Sequence, residues 1–263
     1  PFVAGKIAAL HALSDIYVSA GIPKCASLIL QLSDDVTYEQ TKSILYGIKT
    51  VCDSEKIQIL GGHTIKSETS IVGLSVIGLA NERYLSRSKK QCSVGDVLMI
   101  SKKIGTGIAT RAYFHNIIDQ KMYSEAVDSM MISNSNVLNV YSNLPVHSCT
   151  DITGFGLLGH ISEMLPNGMG AKIYKDKVKI FDCIKELPAD AFFTSFINDN
   201  INYVMRAKNC DIRFDSIDSL ALVDPQTNGP VLLAIEPQYA DLASKYGFYE
   251  IGEVNDSNNI SIR

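Results

Sequence analysis

The 263-residue chain has no apolar run long enough to cross a membrane and no excess of basic residues. Its longest apolar run, Ile71–Ala80, is interrupted by Ser75 and is about half the length that a bilayer requires. Lysines and arginines number 24 against 28 aspartates and glutamates, which gives a net charge of -4. A nucleic-acid-binding protein should show a basic face. We therefore expect neither a membrane nor a nucleic acid as a partner.

Closely spaced cysteines are also absent. The six cysteines are scattered and form no Cys-x-x-Cys pair: Cys25, Cys52, Cys92, Cys149, Cys183 and Cys210. Zinc sites and disulfide frameworks require close, recurring spacings. We therefore expect reduced, mostly buried thiols in a cytoplasmic protein.

The composition is that of an ordinary globular protein, with 46% hydrophobic and 20% charged residues. Helical and strand patterns alternate in both halves, which predicts an α/β or α+β fold. A polar, basic segment at 81–93 separates an N-terminal domain over 1–82 from a C-terminal α/β domain over 93–263. This segment is either a solvated linker or a phosphate-binding site.

Hydrophobic periodicity predicts the main helices and strands. Thr37 and Gln40 form a capping box at the start of the second helix. The helices are predicted over 4–19, 37–52, 122–142 and 237–246. The strands are predicted over 25–32, 56–60, 71–80, 96–101, 146–150, 231–235, 249–254 and 260–262.

Residues 150–160 carry the strongest local signal, Thr-Asp-Ile-Thr-Gly-Phe-Gly-Leu-Leu-Gly-His. A strand leads into Asp151, and Gly154 and Gly156 precede an amphipathic helix. A carboxylate and bare backbone amides then lie at one place, where a magnesium-bound phosphate could bind. Alternatively, the segment is a strand-to-helix turn in which Asp151 or Thr153 caps the helix and the glycines supply unusual backbone angles.

Two other segments permit both a chemical and a structural interpretation. Asp15 lies in an apolar helix one turn after His11, so it is exposed, paired or bound to a cation. The Gly61-Gly-His-Thr64 segment follows a strand, and its glycines would let backbone amides approach an anion. The structural alternatives are an exposed His–Asp pair and a tight turn, respectively.

Two further segments contain glycines and turn-forming residues. The Gly105-Thr-Gly107 segment permits a phosphate site or simply lets a strand turn into a helix, and Asp224–Pro230 forms a loop before a strand. The Gly61-Gly-His-Thr64 segment is not a Walker A loop, because no Gly-Lys-Ser/Thr follows. His115, His147 and His160 are not spaced as a metal set.

Taken together, four segments resemble selenophosphate synthetase (selenide, water dikinase), a member of the aminoimidazole ribonucleotide synthetase-like superfamily. They occur in that family's order, and the Thr-Asp-x-Thr-Gly-Phe-Gly-Leu-Leu-Gly-His signature is highly specific. The segments are Ile7–Asp15, Leu60–Ile65, Thr150–His160 and Asp224–Thr227.

The resemblance implies a two-domain fold whose N-terminal domains form a barrel across a homodimer, with an α/β C-terminal domain. It implies synthesis of selenophosphate from ATP, selenide and water, with release of AMP and phosphate. By the same resemblance, Asp15 and Asp151 would bind Mg²⁺, and Asp15, Gly62, His63 and Thr64 would contact ATP.

The resemblance also implies a reactive cysteine or selenocysteine and a lysine upstream of Pro1. The chain is accordingly expected to be an N-terminally truncated fragment that has no catalytic nucleophile and little activity alone. His11 stands where relatives usually have asparagine, and its role stays open. The alternatives are a non-catalytic paralogue that serves as a dimerising partner and another ATP-dependent enzyme of the same superfamily.

Overall fold

A computed structural model describes residues 1–80 and 91–263, which form two compact units. The basic segment predicted at 81–93 lies largely outside the described residues. The first unit runs from Pro1 to the end of its third strand and includes Met131–Ser135. The second unit contains the remaining described residues.

The first unit contains two helices and three strands. They are α1 (Phe2–Val18), β1 (Gly21–Leu32), α2 (Tyr38–Ser54), β2 (Gln58–Lys66) and β3 (Ile71–Ala80). The predicted capping box is confirmed, because Thr37 Oγ1 accepts the Gln40 amide and Gln40 Oε1 accepts the Thr37 amide.

The first unit's sheet has the order β2-β1-β3, with β1 parallel to β2 and antiparallel to β3. The helices α1 and α2 pack together and against this sheet, and bury Ala9, Leu13 and Ile48 completely. Side chains alternate between the two faces of a strand. The other face of the sheet is exposed and largely apolar.

The second unit contains seven helices and seven strands among the described residues. The helices are α3 (Thr106–Phe114), α4 (Gln120–Met130), α5 (Val137–Asn143), α6 (Gly156–Met164), α7 (Ser195–Ala207), α8 (Ile217–Ala221) and α9 (Ala240–Ser244). The strands are β4 (Val97–Ile100), β5 (Val146–Asp151), β6 (Gly170–Ile173), β7 (Asn209–Asp211), β8 (Val231–Ile235), β9 (Tyr249–Asn255) and β10 (Asn259–Ile262).

These seven strands form one mixed sheet in the order β5-β8-β4-β9-β6-β10-β7. Its pairs are antiparallel from β5 to β6, and β10 is parallel to both β6 and β7. Every residue of β8 is buried, as expected for a strand with neighbours on both sides and packing on both faces. This core supports the turn that follows β5.

Four predicted elements differ from the structure. The strand predicted over 25–32 begins earlier, at Gly21. The helix predicted over 122–142 is two helices, α4 and α5, because Ser133 Oγ accepts the Ser135 amide in the intervening segment. The strand predicted over 56–60 continues to Lys66. The helix predicted over 237–246 begins as a 3₁₀ turn, Pro237–Tyr239, before α9.

All six cysteines carry free thiols, and five of them are buried. None of the helices in the described part of the chain has the length and hydropathy needed to cross a lipid bilayer.

Candidate functional site

Asp151 is the last residue of β5 and is only 4% exposed. No residue in 1–80 or 91–263 donates a hydrogen bond to its carboxylate. A buried carboxylate without a donor carries a desolvation cost, which the opposing charge of Lys102 offsets only in part. A cation bound at this carboxylate would remove that cost, so Asp151 fits the role of a metal ligand.

The turn after Asp151 uses most of its own backbone amides. The Ile152 amide donates to the Pro230 carbonyl (2.8 Å), and the Gly156 amide donates to the Thr153 carbonyl (3.2 Å). The amides of Gly154 and Phe155 have no acceptor among the described residues. These two amides are therefore the donors that the turn offers to an anion.

Neither Asp151 nor Thr153 caps α6 with its side chain, so that alternative for the turn is wrong. The Thr153 amide instead donates to His160 Nε2 (3.1 Å), while Glu163 Oε2 lies 3.3 Å from His160 Nδ1. Because Nε2 accepts a hydrogen bond, it carries no proton, and the imidazole proton lies on Nδ1. His160 therefore fixes the turn.

The glycines of this turn have different roles. Gly156 has a φ of +68°, and a Cβ there would lie 2.6 Å from the Val223 carbonyl carbon. Gly154 has no atom within 4 Å of the position of a Cβ. The prediction that a glycine supplies unusual backbone angles is therefore confirmed at Gly156. At Gly154 there is free space where a side chain would lie.

A buried lysine is a further charged group of this region, and sequence reasoning missed it. Lys102 follows β4, and its Nζ donates to the Asn228 carbonyl (3.0 Å). Burial lowers the pKa of Lys102 to about 7, and the opposing charge of Asp151 limits that shift. The local signal in the sequence was a lysine two residues after the end of a buried strand.

The Asp224–Thr227 segment is a loop, as predicted, but its side chains cap a helix. Gln226 Oε1 accepts the amides of Gly105 (2.9 Å) and Thr106 (3.1 Å), and Asp224 Oδ2 accepts the amides of Gly107 (2.9 Å) and Ile108 (3.2 Å). The four unpaired amides at the start of α3 are thereby satisfied. No anion is needed at Gly105-Thr-Gly107.

The other predicted ligands lie in the first unit. Asp15 is exposed on α1, one turn after the half-buried His11. Asp15 and Asp151 thus belong to different compact units. In the described ranges, which omit 81–90, no three His, Cys, Asp or Glu side chains form a metal-binding cluster.

Gly62, His63 and Thr64 lie within β2 and are exposed. The tight turn considered for this segment is wrong, because β2 pairs with β1 through Lys66 across a register shift, with His63 opposite Ile29. Gly61, with a φ of +143°, accommodates this irregularity. His63 consequently shares the open face of the sheet with apolar side chains.

Comparison with known proteins places both units in one family. The model of the AIR synthase related protein, N-terminal domain, matches residues 1–80, and that of its C-terminal domain matches residues 93–263. The chain belongs to the AIR synthase related family.

Within that family, the curated relatives include selenide, water dikinases. The protein of Carboxydothermus hydrogenoformans is 30% identical over 238 residues, which cover 90% of this chain and 69% of the relative. That of Burkholderia ambifaria is 32% identical over 247 residues, covering 92% and 68%, respectively. The predicted resemblance to selenide, water dikinases is therefore confirmed.

Solved structures of other AIR synthase-like proteins share the fold at low sequence identity. Thiamine monophosphate kinase from Aquifex aeolicus has a TM-score of 0.73 and 16% identity, with coverage of 100% of this chain and 81% of that protein. The hydrogenase maturation protein HypE in complex with ATP has a TM-score of 0.72 and 13% identity, with coverage of 98% and 75%.

Proposed function

We propose that this protein takes part in selenophosphate synthesis, in which ATP, selenide and water give selenophosphate, AMP and phosphate. The observation that carries the proposal is the buried Asp151 carboxylate, to which no described group donates a hydrogen bond, three residues before the unpaired amides of Gly154 and Phe155. The membership among selenide, water dikinases supplies the reaction.

In this proposal Asp15 and Asp151 are the ligands of Mg²⁺. Magnesium in proteins takes one or two carboxylates and completes its shell with phosphate oxygens and water. Bound Mg²⁺ would neutralise negative charge on the phosphates of ATP. The amides of Gly154 and Phe155 would donate hydrogen bonds to a phosphate oxygen, and His160 would keep the turn in position through Thr153.

We further propose that Asp15, Gly62, His63 and Thr64 contact ATP. Gly62 lets β2 lie close to β1, because even a methyl group there would lie 2.5 Å from the Leu28 carbonyl oxygen. His63 and Thr64 offer polar side chains on a strand that is exposed along most of its length. Their contribution would be to orient the nucleotide while its γ-phosphoryl group passes to selenide and its β-phosphoryl group passes to water.

The open face of the first unit supports a homodimer. Five large apolar side chains on β1, β2 and β3 are 43–64% exposed: Ile22, Ile29, Ile65, Ile77 and Leu79. An exposed apolar surface of this kind marks an interaction site. Two copies of the sheet that close into a barrel would bury these side chains and pair the edge strands.

The first test is Mg²⁺-dependent binding of ATP, measured by isothermal titration calorimetry with and without EDTA. We expect binding that requires the metal, and metal-independent binding would contradict the proposed ligands. Product analysis by ³¹P NMR, with the full gene product, ATP and selenide, should then give selenophosphate and AMP. In a parallel assay with thiamine monophosphate in place of selenide, ADP with a phosphorylated organic product would instead favour a kinase reaction like that named for the thiamine monophosphate kinases.

A further inference from the structure

The second unit contains a cavity of about 320 Å³ that the proposed reaction does not use. It is lined by the beginnings of α3 and α7, by Phe192 and by Asp224 and Pro225. Small-molecule sites begin at about this size and combine apolar walls with a few polar groups. The cavity has both.

The walls of the cavity are apolar and partly aromatic. Ile108, Phe192 and Ile197 are each at most 2% exposed and form the buried wall. Phe196, at the rim, is 71% exposed. A large exposed ring beside a buried apolar wall can cover one face of a flat ligand, and stacking then adds to the gain from burial.

One end of the cavity attracts an anion. Arg111 is exposed, and its guanidinium has no carboxylate partner in the part of the chain that the structure describes. Thr194 Oγ1 accepts the amide of Ile197 (3.2 Å), which leaves the amides of Ser195 and Phe196 without an acceptor among described residues. A guanidinium binds a carboxylate through two parallel hydrogen bonds.

The Asp224 carboxyl group supplies a second polar contact. Its Oδ2 accepts hydrogen bonds from Gly107, Ile108 and the Gln226 side chain. Its Oδ1 has no hydrogen-bond partner among residues 1–80 and 91–263, although the side chain is only 2% exposed. Gly107 and Arg111 are four residues apart on α3, so Asp224 and Arg111 lie about one helical turn apart along the cavity.

We propose that this cavity binds a small aromatic carboxylic acid. Its carboxylate would lie on Arg111 and the first amides of α7, and its ring would pack between Phe192 and Phe196. A hydroxyl or amino group beside the carboxylate would reach Asp224 Oδ1. A phosphate monoester is disfavoured, because a single guanidinium would balance only part of the charge of a dianion.

The test is NMR titration of protein labelled at the isoleucine methyl groups, with phenylacetate and with mandelate, which adds a hydroxyl group. We expect saturable shifts at Ile108 and Ile197 at millimolar concentrations, with mandelate binding several-fold more tightly. Absence of saturable shifts with both acids would overturn the proposal. Equal affinities would overturn the contact with Asp224.

Two variants and one control locate the site. Arg111→Met should weaken binding of both acids at least about tenfold, and Phe196→Ala should weaken it several-fold. Arg206→Met removes another exposed arginine, near the other end of α7, and this variant should bind both acids like the parent. Circular dichroism checks that each variant is folded. Unchanged binding in folded Arg111→Met would overturn the site.

Discussion

The Asp151 carboxylate is buried and accepts no hydrogen bond from a described residue. Its replacement therefore tests whether the residue serves ligand binding or the stability of the fold. Asp151→Asn keeps the shape of the side chain but removes the charge that a cation needs. We expect Mg²⁺-dependent ATP affinity to fall at least about tenfold. The free energy of unfolding should change little, because the loss of a buried charge is offset by the loss of the charge that opposes the buried Lys102. Calorimetry and urea denaturation measure the two quantities.

Asp241→Asn is the control for this substitution. Asp241 is exposed at the start of α9, and its replacement should leave ATP binding unchanged. If Asp151→Asn binds Mg²⁺ and ATP as tightly as the parent, Asp151 is not a ligand.

The two glycines of the turn make a matched pair for stability. Gly156→Ala would place a methyl group against the Val223 backbone at a φ of +68°. We expect it to lower the free energy of unfolding by roughly 2 kcal/mol or more. Gly154→Ala meets no atom within 4 Å and should change it by less than about 0.5 kcal/mol. Equal urea midpoints for the two variants would contradict this account.

Among the elements, α3 depends most on residues far away in the sequence. The Asp224 side chain, which accepts amides at the N-terminus of α3, is completely buried. This burial raises the pKa of Asp224 to about 7, although three hydrogen bonds oppose the shift. The folded state therefore binds a proton that the unfolded chain releases above its pKa of 3.8. The resulting stability is present below about pH 4 and is lost as the pH rises through 7.

We expect Asp224→Asn to remove this pH dependence, because the amide oxygen can accept the same helix amides without titrating. Between pH 4 and pH 7.5 the parent should lose up to ~4 kcal/mol relative to the variant. Urea denaturation across this range measures the difference. A constant difference between parent and variant would show that Asp224 does not titrate there.

The sequence predicted the elements with local signals and missed contacts between distant residues. The Thr37–Gln40 box and the position of Asp151 at the end of a strand follow from neighbouring residues, and both are seen. The cap of α3 joins residues 117 and 121 positions apart, so no local pattern could reveal it. The turn considered at Gly61-Gly62 was wrong, because a glycine pair suits an irregularity within a strand as well as a turn.

For the whole molecule, the decisive property is the open face of the first unit's sheet. Ile77, 62% exposed on β3, lies at its surface. In the proposed dimer it would be buried, and a charge there would be left unpaired. We expect Ile77→Glu to convert a dimer into monomers in light scattering, with the helical circular dichroism signal retained.

Tyr38→Glu is the control for the dimer. Tyr38 is 78% exposed on α2, and the helices pack on the opposite side of the sheet from the open face. This variant should keep the mass of the parent. A parent that is monomeric at high concentration would contradict the proposed homodimer directly.

Gln226 forms hydrogen bonds with both the turn after β5 and the beginning of α3. Its backbone amide donates to the Thr153 carbonyl (2.9 Å), while its side chain holds the first amides of α3. A nucleotide that stiffens the Thr153 turn should therefore slow deuterium uptake at Gly105 and Thr106, even though neither residue would touch it. Mass spectrometry of exchanged peptides would reveal such remote protection, which makes the beginning of α3 a reporter of occupancy.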